Sequence, residues 1–357
     1  MKKSILLFVA MIVSIINTNS FAQKQSSNDR AIAEYKFSGK NIRISSTNRN
    51  ITLEAWKEDK IKIVTNAVKD DNENEVSLEK MGITVHEMSS SFNINIKESS
   101  YGSSYNSSEQ SNSVSSMSGT VVPLNSKKNI IIYLPQSAKI SVDVKYANLF
   151  CKNSFNNVDI DITNGNLDLE AAKELRLISK YGNSTIGDIV TGDIDFSNGN
   201  LTINSINETD LDTKYSNIEI GTAKNLNFIS TNDEYEIDAV DKIVGRKNYG
   251  NLRISKLNSL IDITGTNADV KVKNIASTVN AIKFDNKYAN LRLPMKNVKD
   301  YTINVTGMYN TVYPDDSTAD LVNNNANNAG DSVNIKNGTG NGTKVQIKCA
   351  NCTIDFK

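Results

Sequence analysis

Apolar and polar residues alternate along most of this chain. Segments such as "NLDL" (166–169), "NLTI" (200–203) and "NLRI" (251–254) place an apolar residue at every second position. This two-residue period is typical of a β-strand with one buried and one exposed face. We find no sustained helical period in the repetitive region, so the pattern predicts an all-β protein.

The strands are separated by turns that recur at a regular spacing. The motif "KYANL" at 145–149 returns as "KYGNS", "KYSNI" and again "KYANL", and its tyrosines are Tyr146, Tyr181, Tyr215, Tyr249 and Tyr288. A second series, which includes "TNGNLDL" and "SNGNLTI", interleaves with the first and carries Asn164, Asn198, Asn232 and Asn267. A turn therefore arrives about every 17 residues, alternating between a Tyr type and an Asn type.

A near-constant period over many turns favours a structure in which each strand stacks on the equivalent strand of the neighbouring repeat. We therefore predict a parallel β-helix (β-solenoid) with rungs of about 17 residues, paired into a 34-residue super-repeat. Two coil lengths remain open: a 17-residue coil would place Tyr corners on Asn corners, and a 34-residue coil would place Tyr on Tyr. The alternation of the two turn types mildly favours the second arrangement.

The repeated turn residues suit tight corners. Asn and Gly tolerate left-handed backbone angles, and an Asn side chain can bond its equivalents in neighbouring coils. The Tyr residues allow two interpretations. Facing outward beside Lys145, Lys180, Lys214 and Lys287, they would form a row that stacks on sugar rings or docks a partner protein. We favour the alternative, in which the rings pack over the corners and hold one coil to the next.

The N-terminus has the features of a secretory signal peptide. Lys2 and Lys3 precede an apolar segment at 4–16, and Ser20 and Ala22 occupy the positions that signal peptidase requires. We expect cleavage after Ala22, with residues 1–22 removed and 23–357 forming one β-solenoid domain. Its expected parts are N-terminal strands at 31–98, a Ser-rich flexible insertion at 99–120, regular rungs at 129–313, a polar loop at 314–343 and C-terminal strands at 344–357.

Charge and hydropathy narrow the location and the partners. The chain has 40 basic and 40 acidic residues, and removal of Lys2 and Lys3 leaves 38 basic residues. This balance does not favour nucleic-acid binding, which needs a basic surface. No later segment is long and apolar enough to span a membrane. We expect an exported protein of the periplasm, the outer-membrane surface or the extracellular space.

The chain offers few residues for catalysis or metal binding. The outer aspartates alternate with apolar residues and are expected to face water; they are Asp159, Asp161, Asp168, Asp193 and Asp195. The single histidine, His86, has no evident catalytic partner. Cys349 and Cys352 in "CANC" could form a local disulfide or stay reduced, and Cys151 is left over. We expect no catalytic residues, no metal and no cofactor.

Three passages together resemble a known family. They are "NITLEAWKEDKIKIV", "IIIYLPQSAKISVDVKYANL" and the Gly- and Asn-punctuated rungs "NGNLDL" and "NGNLTI". They are similar to exported bacterial β-helix proteins named "putative adhesins", a family of domains of unknown function related to adhesin-head GIN domains. The resemblance covers most of the mature chain, and its motifs are structural. It implies a right-handed parallel β-helix and a location at the cell envelope or surface.

These features predict a non-enzymatic, exported cell-envelope protein that presents an adhesin-like binding surface to an envelope protein or a glycan. Two alternatives remain open. The scaffold could carry a carbohydrate-active enzyme, either a polysaccharide lyase or a hydrolase. The chain could also be a periplasmic scaffold or accessory protein.

Overall fold

The computed structural model describes residues 30–66, 76–98, 130–315 and 332–357. Within these ranges the chain forms β-strands and no helix, and all 21 strands belong to one hydrogen-bonded sheet. The all-β prediction is therefore confirmed. The expected signal peptide and the Ser-rich insertion lie outside the described residues.

Long parallel strands form the middle of the molecule. They are β9 (Leu149–Thr163), β10 (Leu167–Lys180), β11 (Ser184–Ser197), β12 (Asn200–Lys214), β13 (Asn217–Thr231) and β14 (Glu234–Val272). Each pairs in parallel with the next strand in the chain. Leu167 pairs with Ser184, and Ser184 pairs with Leu201, so paired residues here are 17 positions apart. This open, parallel-rich sheet of consecutive strands is consistent with a β-solenoid.

Alternation along each strand separates the core from the surface. In β12, Leu201, Ile203 and Leu211 are buried, whereas Thr202 and Asp210 between them are exposed. Equivalent inward residues of successive strands form one continuous apolar core from Ile42 to Phe356. Burying such side chains is the main stabilising contribution, at about 1.5–3 kcal/mol each. A single strand could not form this core, because its apolar side must be covered by the strands stacked beside it.

Each coil turns at a residue with left-handed backbone angles. We call these residues the corner row; their φ values lie between 52° and 60°. In spatial order the row is Asn48, Tyr146, Asn164, Tyr181, Asn198, Tyr215, Asn232, Tyr249, Asn267, Tyr288, Asn351 and Tyr309. The Tyr181 backbone N–H donates to the carbonyl oxygen of Ser197, which precedes Asn198, so this Tyr corner lies beside an Asn corner.

A second column explains why Asn recurs two positions after eight of the twelve corners. The backbone N–H of Asn166 donates to Oδ1 of Asn148 at 2.9 Å, and that of Asn183 donates to Oδ1 of Asn166 at 2.9 Å. Asn200 continues the series through bonds of its backbone and side-chain nitrogens to Asn183. The amide side chains thus link neighbouring coils at the turn, as the sequence predicted.

Strands at the N-terminal end cover the stack with antiparallel pairs. The strands are β1 (Arg30–Lys36), β2 (Asn41–Thr47), β3 (Ile51–Trp56), β4 (Lys60–Asn66), β5 (Ile83–Glu87), β6 (Ser91–Ile96), β7 (Ile130–Pro135) and β8 (Lys139–Lys145). β2 and β3 lie within the parallel stack, beside β8 and β9. β5 pairs antiparallel with β6, and β4 pairs antiparallel with both β7 and β1. These pairs protect strand edges that would otherwise be open.

At the C-terminal end, chain order and spatial order differ. The strands are β15 (Ala281–Lys287), β16 (Asn290–Arg292), β17 (Tyr301–Thr306), β18 (Thr311–Tyr313), β19 (Val333–Asn337), β20 (Thr343–Ala350) and β21 (Thr353–Asp355). β20 lies in parallel between β15 and β17, and β21 lies between β16 and β18.

The last strands, β20 and β21, form an internal coil, and β19 pairs antiparallel with the outer side of β17. β19 also lies inside the segment 314–343, which was expected to be a polar loop. The alternation "VNIKN" in this segment is a short strand signal that its Asn-rich surroundings obscured.

Candidate binding surface: the corner row

The corner row alternates Tyr and Asn in space, even where the chain leaves sequential order. At the C-terminal end the Tyr288 N–H donates to the carbonyl of Ala350, which precedes Asn351. The Asn351 N–H donates in turn to the carbonyl of Met308, which precedes Tyr309. Asn351 therefore separates Tyr288 from Tyr309, although it comes last in the chain. Tyr and Asn therefore alternate in space even where the residues are not in sequence order. A tandem repeat in the sequence does not by itself explain this alternation.

The Tyr side chains of the row are exposed. Exposed fractions are 63% for Tyr146, 60% for Tyr181, 63% for Tyr215, 49% for Tyr249, 59% for Tyr288 and 70% for Tyr309. About half or more of each Tyr residue is therefore exposed, which fits the outward-facing arrangement. The interpretation that the rings also pack over the corners and hold one coil to the next stays a prediction.

The spacing of the row follows from β-sheet geometry. Neighbouring strands lie about 4.8 Å apart, so Tyr side chains on alternate coils start about 9.6 Å from one another. Twelve corners make a row about 53 Å long from the first to the last residue. The surface therefore repeats one aromatic ring and one amide at a fixed distance along the whole described stack.

The residue before each corner differs between the two kinds of coil. Lys precedes four of the six tyrosines, at Lys145, Lys180, Lys214 and Lys287. Thr or Ser precedes five of the six asparagines, at Thr47, Thr163, Ser197, Thr231 and Thr266. All these Lys side chains are exposed. Two of them lie near carboxylates of their own strands: Lys145 Nζ is 3.5 Å from Asp143, and Lys214 Nζ is 3.9 Å from Asp212.

Sequence reasoning missed Tyr309 as a member of the row. It lies in "GMYNTV" at 307–312, where Met replaces the Lys of the other Tyr units and Asn follows Tyr directly. Its separation from Tyr288 is 21 residues, which breaks the 34-residue period. The aromatic followed by Asn and an alternating strand was a weak signal that could have identified it.

A polar cluster is buried behind the middle of the row. The Asp233 carboxylate accepts hydrogen bonds from Thr213 Oγ1 at 2.7 Å and Ser230 Oγ at 2.8 Å, and from the backbone N–H of Ser216 at 2.8 Å. The Lys247 ammonium donates to Ser230 Oγ and to the carbonyl oxygens of Asp233 and Tyr249. Asp233 and Lys247 are almost completely buried. Because their polar groups are bonded, the cluster can exist inside an apolar core.

Burial alters the acid–base properties of this cluster. It lowers the pKa of Lys247 to about 8, with the nearby Asp233 carboxylate opposing the shift. Burial also raises the pKa of Tyr235, whose hydroxyl lies 2.7 Å from Thr213 Oγ1. The cluster is enclosed by the coils, so it contributes to stability rather than to the exposed row.

The residues considered for catalysis lie apart from one another or face solvent. Asp193 and Asp195 are exposed on β11, His86 is exposed on β5, and Asp168 is exposed on β10. Burial, with the nearby Glu170 carboxylate, raises the pKa of Asp168. Over the residues that the structure describes, no three His, Cys, Asp or Glu side chains are grouped closely enough to hold a metal ion.

The cysteines lie at two places in the stack. The structure joins Cys349 and Cys352 in a disulfide, with their Cα atoms 6.0 Å apart, around the Asn351 corner. Cys151 is a buried free thiol on β9, and burial raises its pKa. In the described ranges no helix has the length and apolar character needed to cross a membrane.

Comparison with known proteins gives little further information. No protein-family model matches the chain, and no curated protein matches it. One solved structure, a "putative cell adhesion protein" from Clostridium sporogenes, is similar over 92% of this chain and 98% of its own, at 10% identity. Its TM-score is 0.21. Similarity at this level carries no argument about the fold or the function of the present chain.

Proposed function

We propose that this chain is a non-enzymatic, exported protein of the bacterial cell envelope whose corner row is an adhesin-like binding surface. The observation that supports this proposal is the set of six exposed tyrosines at left-handed corners, separated by asparagines on the intervening coils. An adhesin-like role needs a rigid surface with many similar contacts, each of which can be weak. The row offers such contacts along the stack.

Backbone strain supports a role for the tyrosines beyond folding. The left-handed backbone conformation costs a residue other than Gly about 1–2 kcal/mol of conformational free energy, and bulky residues are rare there. Asn tolerates this conformation better, and the alternate coils use Asn at the same position. Each Tyr leaves about half or more of its surface in water, so its burial offsets the strain only in part. Recognition of a ligand would account for Tyr at these sites.

We further propose a right-handed β-helix with rungs of about 17 residues, in which one Tyr coil and one Asn coil form the 34-residue functional unit. The parallel pairing at a 17-residue offset supports the rung length. Right-handed crossover connections between parallel strands are strongly preferred in general, which supports the hand. In this unit of one Tyr coil and one Asn coil, each kind of corner recurs on every second coil.

The location is tested by fractionating the bacterium that produces the chain. The adhesin-like role predicts that an antibody to the folded chain labels intact cells and that the protein sediments with the outer membrane. Detection only in the soluble periplasmic fraction would instead support the periplasmic scaffold. Retention in the cytoplasm would contradict the proposal.

The binding role is tested with the double variant Tyr181→Asn/Tyr215→Asn. Asn is compatible with the left-handed corner, so the variant should fold. We expect the purified wild-type chain to co-sediment with envelope fragments, and we expect the variant to lose most of this binding. The control is Val190→Ser, which removes an exposed apolar side chain outside the row. Equal binding by wild type and double variant would contradict the proposed surface.

A further inference from the structure

We infer that the corner row binds an uncharged, extended β-1,4-linked polysaccharide, with one Tyr ring stacked on every second sugar. The inference rests on the proposed function and names the ligand class of the same surface. It depends on three properties of the row, which are its repeat distance, its side-chain chemistry and its charge.

The repeat distance favours a polysaccharide over other extended polymers. The tyrosines recur about every 9.6 Å, whereas side chains on one face of an extended peptide recur about every 6.8 Å. Phosphates along one nucleic-acid strand recur about every 3.4 Å. In a β-1,4-linked polysaccharide each sugar advances the chain by about the height of one coil. Successive sugars are flipped, so that the same sugar face recurs at every second residue, as the tyrosines do.

The alternating side chains fit the two sugars of such a repeat. The face of a Tyr ring suits the C–H face of a sugar ring, and its hydroxyl can bond at the edge. On the intervening coil, the corner Asn and the Thr or Ser before it each supply a donor and an acceptor. Asn198 with Ser197, and Asn232 with Thr231, are examples. These groups match the hydroxyl or acetamido groups of the sugar between two stacked rings.

The charges beside the row favour an uncharged ligand. Asp143 lies near Lys145, and Asp212 lies near Lys214, so the positive charge on two of the four Lys coils is compensated on the protein itself. The Lys ammonium groups remain available as hydrogen-bond donors to sugar hydroxyls. An anionic polymer would require an excess of positive charge along the row. Proline-rich peptides repeat about every 9.3 Å, but they bind in grooves between aromatic rings, and this row is an exposed corner.

The test measures binding of defined hexasaccharides to the full chain without its predicted signal peptide, by isothermal titration calorimetry. Cellohexaose and chitohexaose are the β-1,4-linked ligands, and maltohexaose is the control because its α-1,4 linkages curve the chain. Hyaluronan and a proline-rich peptide are the anionic and peptide comparisons. We expect a β-1,4-linked ligand to bind and maltohexaose to bind at least tenfold more weakly. When the length of the β-1,4-linked ligand is varied, we expect the affinity to rise stepwise with every two sugars added, because each added pair reaches one more Tyr.

The decisive variant makes two exchanges of neighbouring corner residues without changing composition. Tyr181→Asn/Asn198→Tyr combined with Tyr249→Asn/Asn267→Tyr keeps six rings, but no six consecutive coils then carry three evenly spaced rings. We expect it to weaken binding of the matching hexasaccharide about 2- to 12-fold for each ring that loses contact, with an unchanged unfolding midpoint. Val190→Ser is the matched control and should bind as the wild type does.

The possible outcomes separate this inference from the proposed function. If the exchange variant binds the sugars as well as wild type does, or if maltohexaose, hyaluronan or a proline-rich peptide binds best, the inference is wrong. If in addition the Tyr181→Asn/Tyr215→Asn variant still loses envelope binding, the row is a binding surface for another ligand. If envelope binding is also unaffected, the proposed function fails as well.

Discussion

Between Tyr146 and Tyr249 the corners follow one another in chain order, whereas at the C-terminal end they do not. In the middle, each coil continues directly into the next, so a regular repeat in the sequence produces a regular repeat in space. At the end, the last coil of the chain lies between two earlier ones, yet Asn351 still separates Tyr288 from Tyr309. The alternation of Tyr and Asn is therefore kept in space even where the path of the chain changes.

The largest expected effect comes from removing the inserted coil. Deletion of 343–357 should open the edges of β15 and β17 and remove buried residues such as Ile347 and Phe356, each worth about 1.5–3 kcal/mol. Hydrogen exchange should show lost protection from Ala281 to Tyr313 and retained protection in β10–β12. Asn351→Gly, which keeps the coil, is the control. Retained protection from Ala281 to Tyr313 would mean that the last strands are only a cover.

A large effect is also expected from the polar cluster of the middle region. Asp233→Ala removes the acceptor of Thr213 and Ser230 and should lower the free energy of unfolding by about 3 kcal/mol. The substitution fits sterically, since Ala occupies the equivalent position at Ala147 and Ala268. Urea denaturation measures the effect. The double variant Asp233→Ala/Lys247→Met should lose less stability than the single one, because it leaves no buried charge unpaired.

A smaller effect is expected from pH, which should change the folding stability of the middle region through Lys247. The pKa of Lys247 is about 8 in the fold and near 10.4 in an unfolded chain, so between these values the unfolded state binds more protons. Folding stability should therefore rise with pH in this window, by about 1–2 kcal/mol between pH 8 and 9.5. Wild type and Lys247→Met are compared by urea denaturation at both pH values. An equal rise in both proteins would show that Lys247 is not its source.

The smallest effect is expected from single corner tyrosines in the two regions. Tyr215→Asn in the middle and Tyr309→Asn at the end should each change the free energy of unfolding by less than about 1 kcal/mol, since relief of backbone strain offsets lost contacts. Thermal denaturation measures both variants. A loss of several kcal/mol at Tyr215 alone would show that the middle tyrosines hold adjacent coils together.

The two regions also differ in how far the sequence could predict them. In the middle, strict alternation and the recurring Asn of "Y-x-N" predicted strands, core residues and amide bonds, because each signal there is local. The position of β20 between β15 and β17 depends on contacts between residues 63 apart, such as Ile282 with Val345, and no local pattern encodes it. The exposure of the tyrosines was not predicted, because alternation assigns faces within a strand and does not orient a side chain at a corner.

The spatial order of the corners at the C-terminal end is tested most directly by disulfide cross-linking. Cysteines can be bridged when their Cα atoms are about 4.4–6.8 Å apart, which matches one coil step but not two. In a background with the native cysteines replaced by Ser, we predict that Tyr288→Cys/Asn351→Cys and Asn351→Cys/Tyr309→Cys form disulfides on mild oxidation. We predict that Tyr288→Cys/Tyr309→Cys does not. A disulfide in the third variant and none in the first two would contradict the alternating row.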